Sequence, residues 1–505
     1  MIRPTGGLLL AGLLLAGSAA AVELTAQEAA GRRLYREGVG SSGQSVAARV
    51  GVQSLLVPAA AVACANCHGV DGKGRPEGGL RPPEITWREL GKPYGHRHDG
   101  GREHPAFTAE TFHRTLNEGV DPAGQRLNPA MPRFALSRAD SAALVAYLQR
   151  IEEDRDPGLA DGRLRLGTVL PVSGPLAESG RLVEQVLRAA LAQANAGGGV
   201  HGRQLELVVI DAGGGQPLAE RLAAADVFAL LGPLVPGGSD ELFALAERTG
   251  LPVVGPLAST SDGRRYTFRL QGGELEQGRA LAEFAGRRLG LSDPPVVVLA
   301  AERDAALAVA VQGQLARHGW RQVRQQVSPA AWDAAVADWQ RLGVRVLFFF
   351  GSPGEFAALQ QSAAVAGWPG IVLAPAARAG SAALAGTGPL YLAVPALPGD
   401  GTPGGHQAFA ELRRAQALPE RQPALQAAAY AAATVLLEGL KRAGRVASRE
   451  RLVDALENLH GFETGVTPAV GFGPGRRVGI MGAHVLSVDP LSRRLQAAGT
   501  FVAID

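Results

Sequence analysis

The sequence is short of cysteine, of methionine and of long apolar runs. Only 2 Cys and 3 Met occur in 505 residues. Two thiols cannot build the cross-linked framework of a small disulfide scaffold. No stretch reaches the ~18 uninterrupted apolar residues of a membrane-span candidate, so no spanning helix is expected. Charge of one sign is also missing, with 50 basic against 47 acidic residues and a formal net charge of +3. A nucleic-acid partner is therefore not expected, because such binders carry a strongly basic face. Large-scale disorder is excluded by the hydrophobic content of 46%, since disorder needs low hydrophobicity and high net charge. No G-x-S-x-G elbow, Walker loop or H-E-x-x-H motif occurs, which removes the matching hydrolase, nucleotide and zinc-protease classes. At ~100–200 residues per domain the length allows roughly two to four domains.

What is present begins with an export signal. Arg3 precedes an apolar and small-residue run from Gly6 to Gly17, followed by Ser18-Ala19-Ala20-Ala21. A basic start, a short apolar core and a small-residue exit read as a secretory signal peptide over residues 1–21, cleaved after Ala20 or Ala21. A short buried helix is the alternative. No Cys lies near the cleavage site, so no lipid anchor is expected, and the implied compartment is the periplasm.

Both cysteines sit in Cys64-Ala65-Asn66-Cys67-His68. C-x-x-C-H is the attachment signature of c-type haem. Two thiols bind the haem vinyl groups and the adjacent imidazole reaches the iron. A thioredoxin-like pair, a zinc site and a short-loop disulfide are the alternatives. The first usually lacks the histidine, the second needs two more ligands, and the third leaves His68 unexplained. Met131, in Asn128-Pro129-Ala130-Met131-Pro132, is the one thioether near enough in sequence to close the iron. A lone Met is more commonly core filler. His/Met ligation raises the reduction potential and leaves no open position, which favours electron transfer over oxygen chemistry.

Residues 25–37 and 138–152 read as amphipathic helices. Gly31 would let them approach closely, with Tyr147 packing across. With these helices, the Cys64–His68 motif and Met131-Pro132 in place, residues 23–153 resemble the class I cytochrome c family. The resemblance implies an all-α domain with one covalent haem c on Cys64 and Cys67, ligated by His68 and Met131. One insertion, from Tyr94 to His104, carries His96, His98 and His104, with His113 following on a helix. Three clustered histidines suit copper or zinc, or replacement of Met131 on the iron. A solvated loop is the plainer reading.

Residues 154–162 are charged and turn-forming and read as a linker. From residue 163 to 505, short apolar strands alternate with helical stretches, the pattern of parallel sheets covered on both faces. Some 340 residues exceed one comfortable core, so two lobes are expected. The opening Leu166-Gly167-Thr168-Val169-Leu170-Pro171-Val172-Ser173-Gly174-Pro175, then Ala194-Asn195-Ala196-Gly197-Gly198 and the strand Leu205–Ile210, set the order. Leu231-Gly232-Pro233, Tyr266-Thr267-Phe268-Arg269 and Gly465-Val466-Thr467-Pro468 continue it. This half resembles the periplasmic leucine/isoleucine/valine-binding family, the type 1 solute-binding proteins. The resemblance implies two α/β lobes, a hinge and a ligand in the cleft between them.

Carried over residue by residue, the family's first-lobe contacts map near Pro236–Ser239 and onto Leu257, Ala258 and Ser259. Ser239, Ser259 and Thr260 can still donate hydrogen bonds to a carboxylate; capping of helix N-termini is their ordinary alternative. The family's tyrosine position holds Ser179, its second-lobe aromatic position holds Ser352, and its acidic position falls in Pro375-Ala376-Ala377. A buried ammonium without a carboxylate or an aromatic face is costly. The ligand is therefore expected to be a small molecule other than an α-amino acid, or the lobes serve only for docking.

The whole reads as a multidomain periplasmic electron carrier with an appended binding module. A dehydrogenase or a respiratory cytochrome would be its redox partner. The substrate-binding component of an ABC-type transport or sensing system, with the haem as redox reporter, is the alternative. Haem enzyme catalysis is a third reading, and it needs the open iron position that Met131 would close.

Overall fold

The computed structural model describes residues 24–74, 81–98, 101–235, 239–257, 264–386, 388–445, 447–489 and 492–504. The proposed signal over residues 1–21 lies outside them. The chain divides into two compact units, one ending at Ala160 and one starting at Asp161.

The first unit is built on helices α1 (Ala26–Glu37), α2 (Cys64–His68), α3 (Trp87–Leu90), α4 (Ala109–Glu118) and α5 (Arg138–Arg150). Short strands are added to the expected helices. β1 (Ala47–Val50) lies between β2 (Leu55–Pro58) and β5 (Arg133–Phe134), and β3 (His96–Arg97) pairs with β4 (Glu103–His104). Local chemistry sets the helix ends. Thr25, Thr108 and Ser137 each cap a helix through a reciprocal capping box, which satisfies two orphan N–H groups per terminus. Gly38 and Gly119 end α1 and α4 in the left-handed region.

α1 and α5 cross at Gly31. A Cβ there would stand 2.0 Å from the Ala143 carbonyl oxygen and 2.8 Å from Tyr147 Cβ. The expected close approach is thus present, with Tyr35 and Tyr147 fully buried beside it, ring centroids 5.5 Å apart. Asp154, read above as the first linker residue, is held within this unit. Its carboxylate accepts from Arg32 at 2.9 Å, Arg36 at 3.0 Å and the Tyr147 hydroxyl at 2.7 Å.

The second unit contains two sheets. The first is six-stranded and parallel, in the order 478–480, 267–271, 253–254, 229–231, 163–170, 204–211. The second runs 323–326, 296–300, 346–350, 371–375, 390–394, 482–488, 495–497, with 502–503 pairing on 482–488. Its first four joins are parallel and the rest antiparallel. The expectation of purely parallel sheets fails there for a simple reason. Strand 390–394 leaves the second sheet toward the first, whereas strand 482–488 enters it directly from strand 478–480 of the first sheet after Met481 alone, so the two neighbours run in opposite directions. The chain passes between the two sheets three times, at residues 272–273, between 394 and 403, and at Met481.

Strand Val346–Phe350 shows how the second core forms. Phe348 and Phe350 enter one apolar cluster and Phe349 enters the cluster on the other face, as the period of two dictates. Trp320 packs in the first cluster; Trp339 and Trp368 pack in the second. Among the described residues no helix is long and apolar enough to cross a membrane.

The Gly31 crossing yields a test. Gly31→Ala gains about 1 kcal/mol of helix propensity. Overpacking against a fixed carbonyl costs about 1–3 kcal/mol, so packing wins. The variant should unfold at lower denaturant concentration than the parent with an unchanged slope. A midpoint equal to or above the parent's would sink this account of the crossing.

Candidate cofactor cavity and ligand cleft

α2 is one turn long, and it begins at Cys64 and ends at His68. Gly69 follows at φ 76°, and its carbonyl accepts from the Tyr35 hydroxyl at 2.6 Å. His68 is buried, and its Nδ1 lies 2.9 Å from the Pro83 carbonyl oxygen. A carbonyl only accepts, so Nδ1 carries the proton and Nε2 keeps its lone pair. Such a bond fixes both tautomer and ring orientation for a metal-ligating histidine. Burial, opposed by this hydrogen bond, holds the imidazole below its ordinary pKa, which favours the neutral, ligating form.

Cys64 is half-buried and Cys67 exposed, with no disulfide between them. Burial pushes the Cys64 thiol up to about 12. A thiol-exchange nucleophile needs the opposite shift, so the redox-dithiol reading loses support.

Cys64, His68 and Met131 line one cavity of about 770 Å³, within the ~300–1,000 Å³ range of cofactor sites. Leu90, Phe107, Phe112, Leu116, Leu144 and Leu148 supply apolar wall. Met131 arrives on a pinned loop. Its N–H donates to the Asn128 carbonyl at 3.0 Å, and the Asn128 side chain accepts from Ala130 N–H at 2.9 Å. The Arg133 guanidinium caps the carbonyls of Met131 and Leu127. It passes over Gly119, where a Cβ would lie 1.6 Å from Arg133 Nε. No local sequence signal marks this contact, because Gly119 reads as an ordinary helix stop. The enclosure, the apolar wall, two thiols, one oriented imidazole and one thioether fit a haem c.

The clustered histidines line the same cavity. His98 Nε2 stands 3.0 Å from His104 Nε2, and His96 lies against both rings. Among the described residues no group of three or more His, Cys, Asp or Glu side chains is arranged to hold a metal ion, so the copper or zinc reading is not supported. The solvated-loop reading also fails for His104, which is buried. His113 instead bridges two helices, its Nδ1 2.7 Å from the Ser141 hydroxyl.

In the second unit the predicted ligand residues divide. Pro236, Ala258, Ser259 and Thr260 lie outside the described residues. Ser239 is buried at the N-terminus of helix Asp240–Thr249 but makes no side-chain capping bond to it. Leu257 is half-buried, with its N–H on the Pro233 carbonyl. Ser179 bonds to Gln422 at 3.0 Å, beside a Glu178–Arg421 ion pair of 2.6 Å.

A second-lobe cavity of about 480 Å³ opens at the carboxyl ends of strands 296–300 and 346–350. Arg303, Ser328, Phe350, Ser352, Glu355 and Arg378 are in its lining. Much of its polarity is internally satisfied. Ser352 caps helix Pro353–Ala366, and Glu355 returns to the Ser352 N–H at 2.6 Å. Glu274 grips Arg378 with two bonds of 2.7 and 2.6 Å, and Asp304 lies 3.4 Å away. Arg378 and Glu355 were not anticipated. The S-x-x-E spacing announces the cap; nothing local announces the Glu274 pairing, which spans 104 residues.

Residues 163–493 match the family model described as periplasmic binding protein, and residues 58–152 match the model for cytochrome c. Among curated proteins, the chain is 24% identical over 327 residues to Leu/Ile/Val-binding protein homolog 3 of Brucella melitensis, covering 60% of this chain and 85% of that protein. It is 24% identical over 344 residues to the leucine-, isoleucine-, valine-, threonine-, and alanine-binding protein of Pseudomonas aeruginosa, covering 61% and 85%. Among solved structures, a fatty acid ABC transporter substrate-binding protein from Thermomonospora curvata superposes with a TM-score of 0.51 at 16% identity, covering 69% of this chain and 94% of that one. A branched-chain amino acid ABC transporter protein from Thermus thermophilus with bound valine gives 0.50 at 18%, covering 68% and 98%. At these identities the structures establish the fold alone.

Glu355 gives a pH test. Burial alone would raise its carboxyl, but hydrogen bonds from Ser328 and Ser352 outweigh this and hold it below its ordinary value. A depressed carboxylate contributes stability above its unfolded pKa and loses it as pH falls through the folded one. Glu355→Gln should therefore be less stable than the parent at neutral pH, and the difference should shrink on acidification. A difference that stays constant with pH in thermal melts would refute the role.

Proposed function

Because the chain belongs to the periplasmic binding protein family and carries a cytochrome c domain ahead of that fold, we propose that it is a periplasmic one-electron carrier with a ligand-responsive or docking module. The signal over residues 1–21 directs it there and is removed. Haem c supplies the reversible one-electron couple. Cys64 and Cys67 would tether it, and His68 and Met131 would ligate its iron. The observation that carries this reading is the oriented His68 imidazole facing the same cavity as a loop-pinned thioether. The chain's own residues orient the imidazole through Pro83, position the sulfur through Asn128 and Arg133, and exclude water with the apolar wall. With His68 and Met131 both committed to the iron, oxygen or peroxide would find no open position, which favours a carrier over an enzyme. A periplasmic dehydrogenase or respiratory cytochrome is the partner.

The proposed linker, shortened to residues 155–162 because Asp154 is held within the first unit, joins this carrier to the binding module of residues 163–505. A small molecule other than an α-amino acid is the proposed ligand, with Ser239, Leu257, Ala258 and Ser259 on the first lobe. The reason is chemical. Ser179 faces Gln422, Ser352 caps a helix, and Glu355 and Glu274 are each committed to internal partners. The relatives above that are named for leucine, isoleucine and valine favour a second reading, as the substrate-binding component of an ABC-type transport or sensing system with the haem as redox reporter.

Two measurements test these readings. Met131→Ala should keep its covalent haem, lose the thioether absorption signature of the ferric protein and show a lower reduction potential. An unchanged potential would remove Met131 from the iron. Calorimetric screening should give no binding of leucine, isoleucine or valine to the exported protein, and some response to carboxylic acids lacking the ammonium group. Tight branched-chain amino acid binding would reverse the order of the two readings.

A further inference from the structure

The cavity that fits haem has one wall unlike the others. The β3–β4 hairpin and its neighbours bring Arg81, Arg97, Arg102, His98 and His104 to a space otherwise lined mainly by apolar side chains. Haem carries its two carboxylates on one edge and hydrocarbon elsewhere. Carboxylates enclosed away from water need N–H partners, and this wall holds most of the nitrogen donors.

Proton placement in the histidine pair follows from its contacts. His104 Nδ1 lies 2.8 Å from the Pro105 carbonyl oxygen. The carbonyl accepts, so Nδ1 carries the proton and His104 Nε2 offers a lone pair. His98 Nε2, at 3.0 Å, must then be the donor. With both rings neutral, each N–H is already spent and His98 Nδ1 holds a lone pair. The pair can give an N–H to a carboxylate only by gaining one further proton at His98 Nδ1.

The surroundings set how readily that happens. Burial holds both imidazoles below their ordinary value, and Arg102 and the neighbouring imidazoles add to the effect, while the Pro105 carbonyl at His104 and Asp121 at both oppose it. Arg102 is paired with fully buried Asp121 at 2.7 Å. Asp121 also accepts from the N–H groups of Ala123 and Gln125, each at 2.9 Å. Arg97 faces Glu103 at 3.1 Å. His96 directs Nε2 at the Leu90 carbonyl and Nδ1 toward Glu89, 3.7 Å away. The nearby acids are thus committed, and no described carboxylate is recorded against His98 Nδ1. A negative group delivered into the cavity is what would stabilise the extra proton.

We propose that the His98–His104 pair receives a carboxylate of the bound haem and is a redox-linked protonation site. This rests on the reading that the cavity holds haem. When the centre gains one electron from its donor, its charge falls by one, and the pair takes one proton from solvent at His98 Nδ1. On oxidation the electron leaves to the acceptor and the proton returns to solvent. An added positive charge favours the reduced centre, so the potential rises as pH falls through the imidazole range and levels off above it.

The test uses the full exported chain with its haem. Mediated potentiometric titration across that pH range should show the rise in the parent protein. The rise should be lost in His98→Gln and in His104→Gln, since glutamine hydrogen-bonds but does not titrate. Haem absorption and thermal melts serve as folding controls. Proton NMR of the parent provides an independent readout, with the His98 imidazole titrating at higher pH in the reduced than in the oxidised protein. A flat potential in the parent, an equal slope in folded variants, or equal His98 titration in both redox states overturns the proposal. Absence of a c-type spectrum in the parent would instead overturn the reading of the cavity, before any potential is measured.

Discussion

The hydrogen bond from His68 Nδ1 to the Pro83 carbonyl governs how the first unit is organised. It turns a one-turn helix carrying Cys64 and His68 into a directed ligand platform. An imidazole free to rotate could not present a lone pair to a fixed point, and two thiols alone would hold a cofactor without orienting it. The remaining features secure this geometry. Tyr35 reaches from α1 to the Gly69 carbonyl just behind His68. The α1–α5 crossing at Gly31 brings Tyr35 and Tyr147 into one buried stack. Asp154 then closes the end of the unit by drawing together Arg32, Arg36 and Tyr147.

The opposite side of the cavity is held by different means. Met131 sits on a loop with no regular hydrogen-bond ladder, so its position depends on Asn128 and Arg133. That dependence explains the glycine at position 119. The arginine has to pass where any Cβ would stand, and a left-handed φ of 72° is required there as well. One residue therefore serves both the end of α4 and the support of the thioether loop.

The two-lobed unit solves a different problem. Its cavity in the second lobe is charged, yet the charges largely answer one another. Glu355 occupies the helix N-terminus that would otherwise attract an anion. Arg378 is clamped by Glu274, which lies just past one of the passages between sheets. Binding a ligand at this lobe means competing with these internal partners. The cavity-lining hairpin of the first unit shows the contrary arrangement, a donor-rich wall whose acids are already engaged.

Much of this was legible in the sequence because it is encoded by short-range rules. The C-x-x-C-H spacing, the capping boxes, the small residue at the helix crossing and the strand–helix alternation each act within a few residues. They determined the two kinds of domain, their order, and the thiols and imidazole of the candidate cofactor site. The second sheet's antiparallel edge escaped that reading, since pairing direction depends on where the chain returns and not on its local pattern. The same holds for the sites. Arg133 reaching Met131 across Gly119, Arg378 gripped by Glu274 from 104 residues away, and three histidines from a charged loop meeting at a buried wall are products of tertiary structure. Hydrogen bonds and ion pairs are decided by distance in space, and for residues far apart in the chain only the folded arrangement of elements sets that distance.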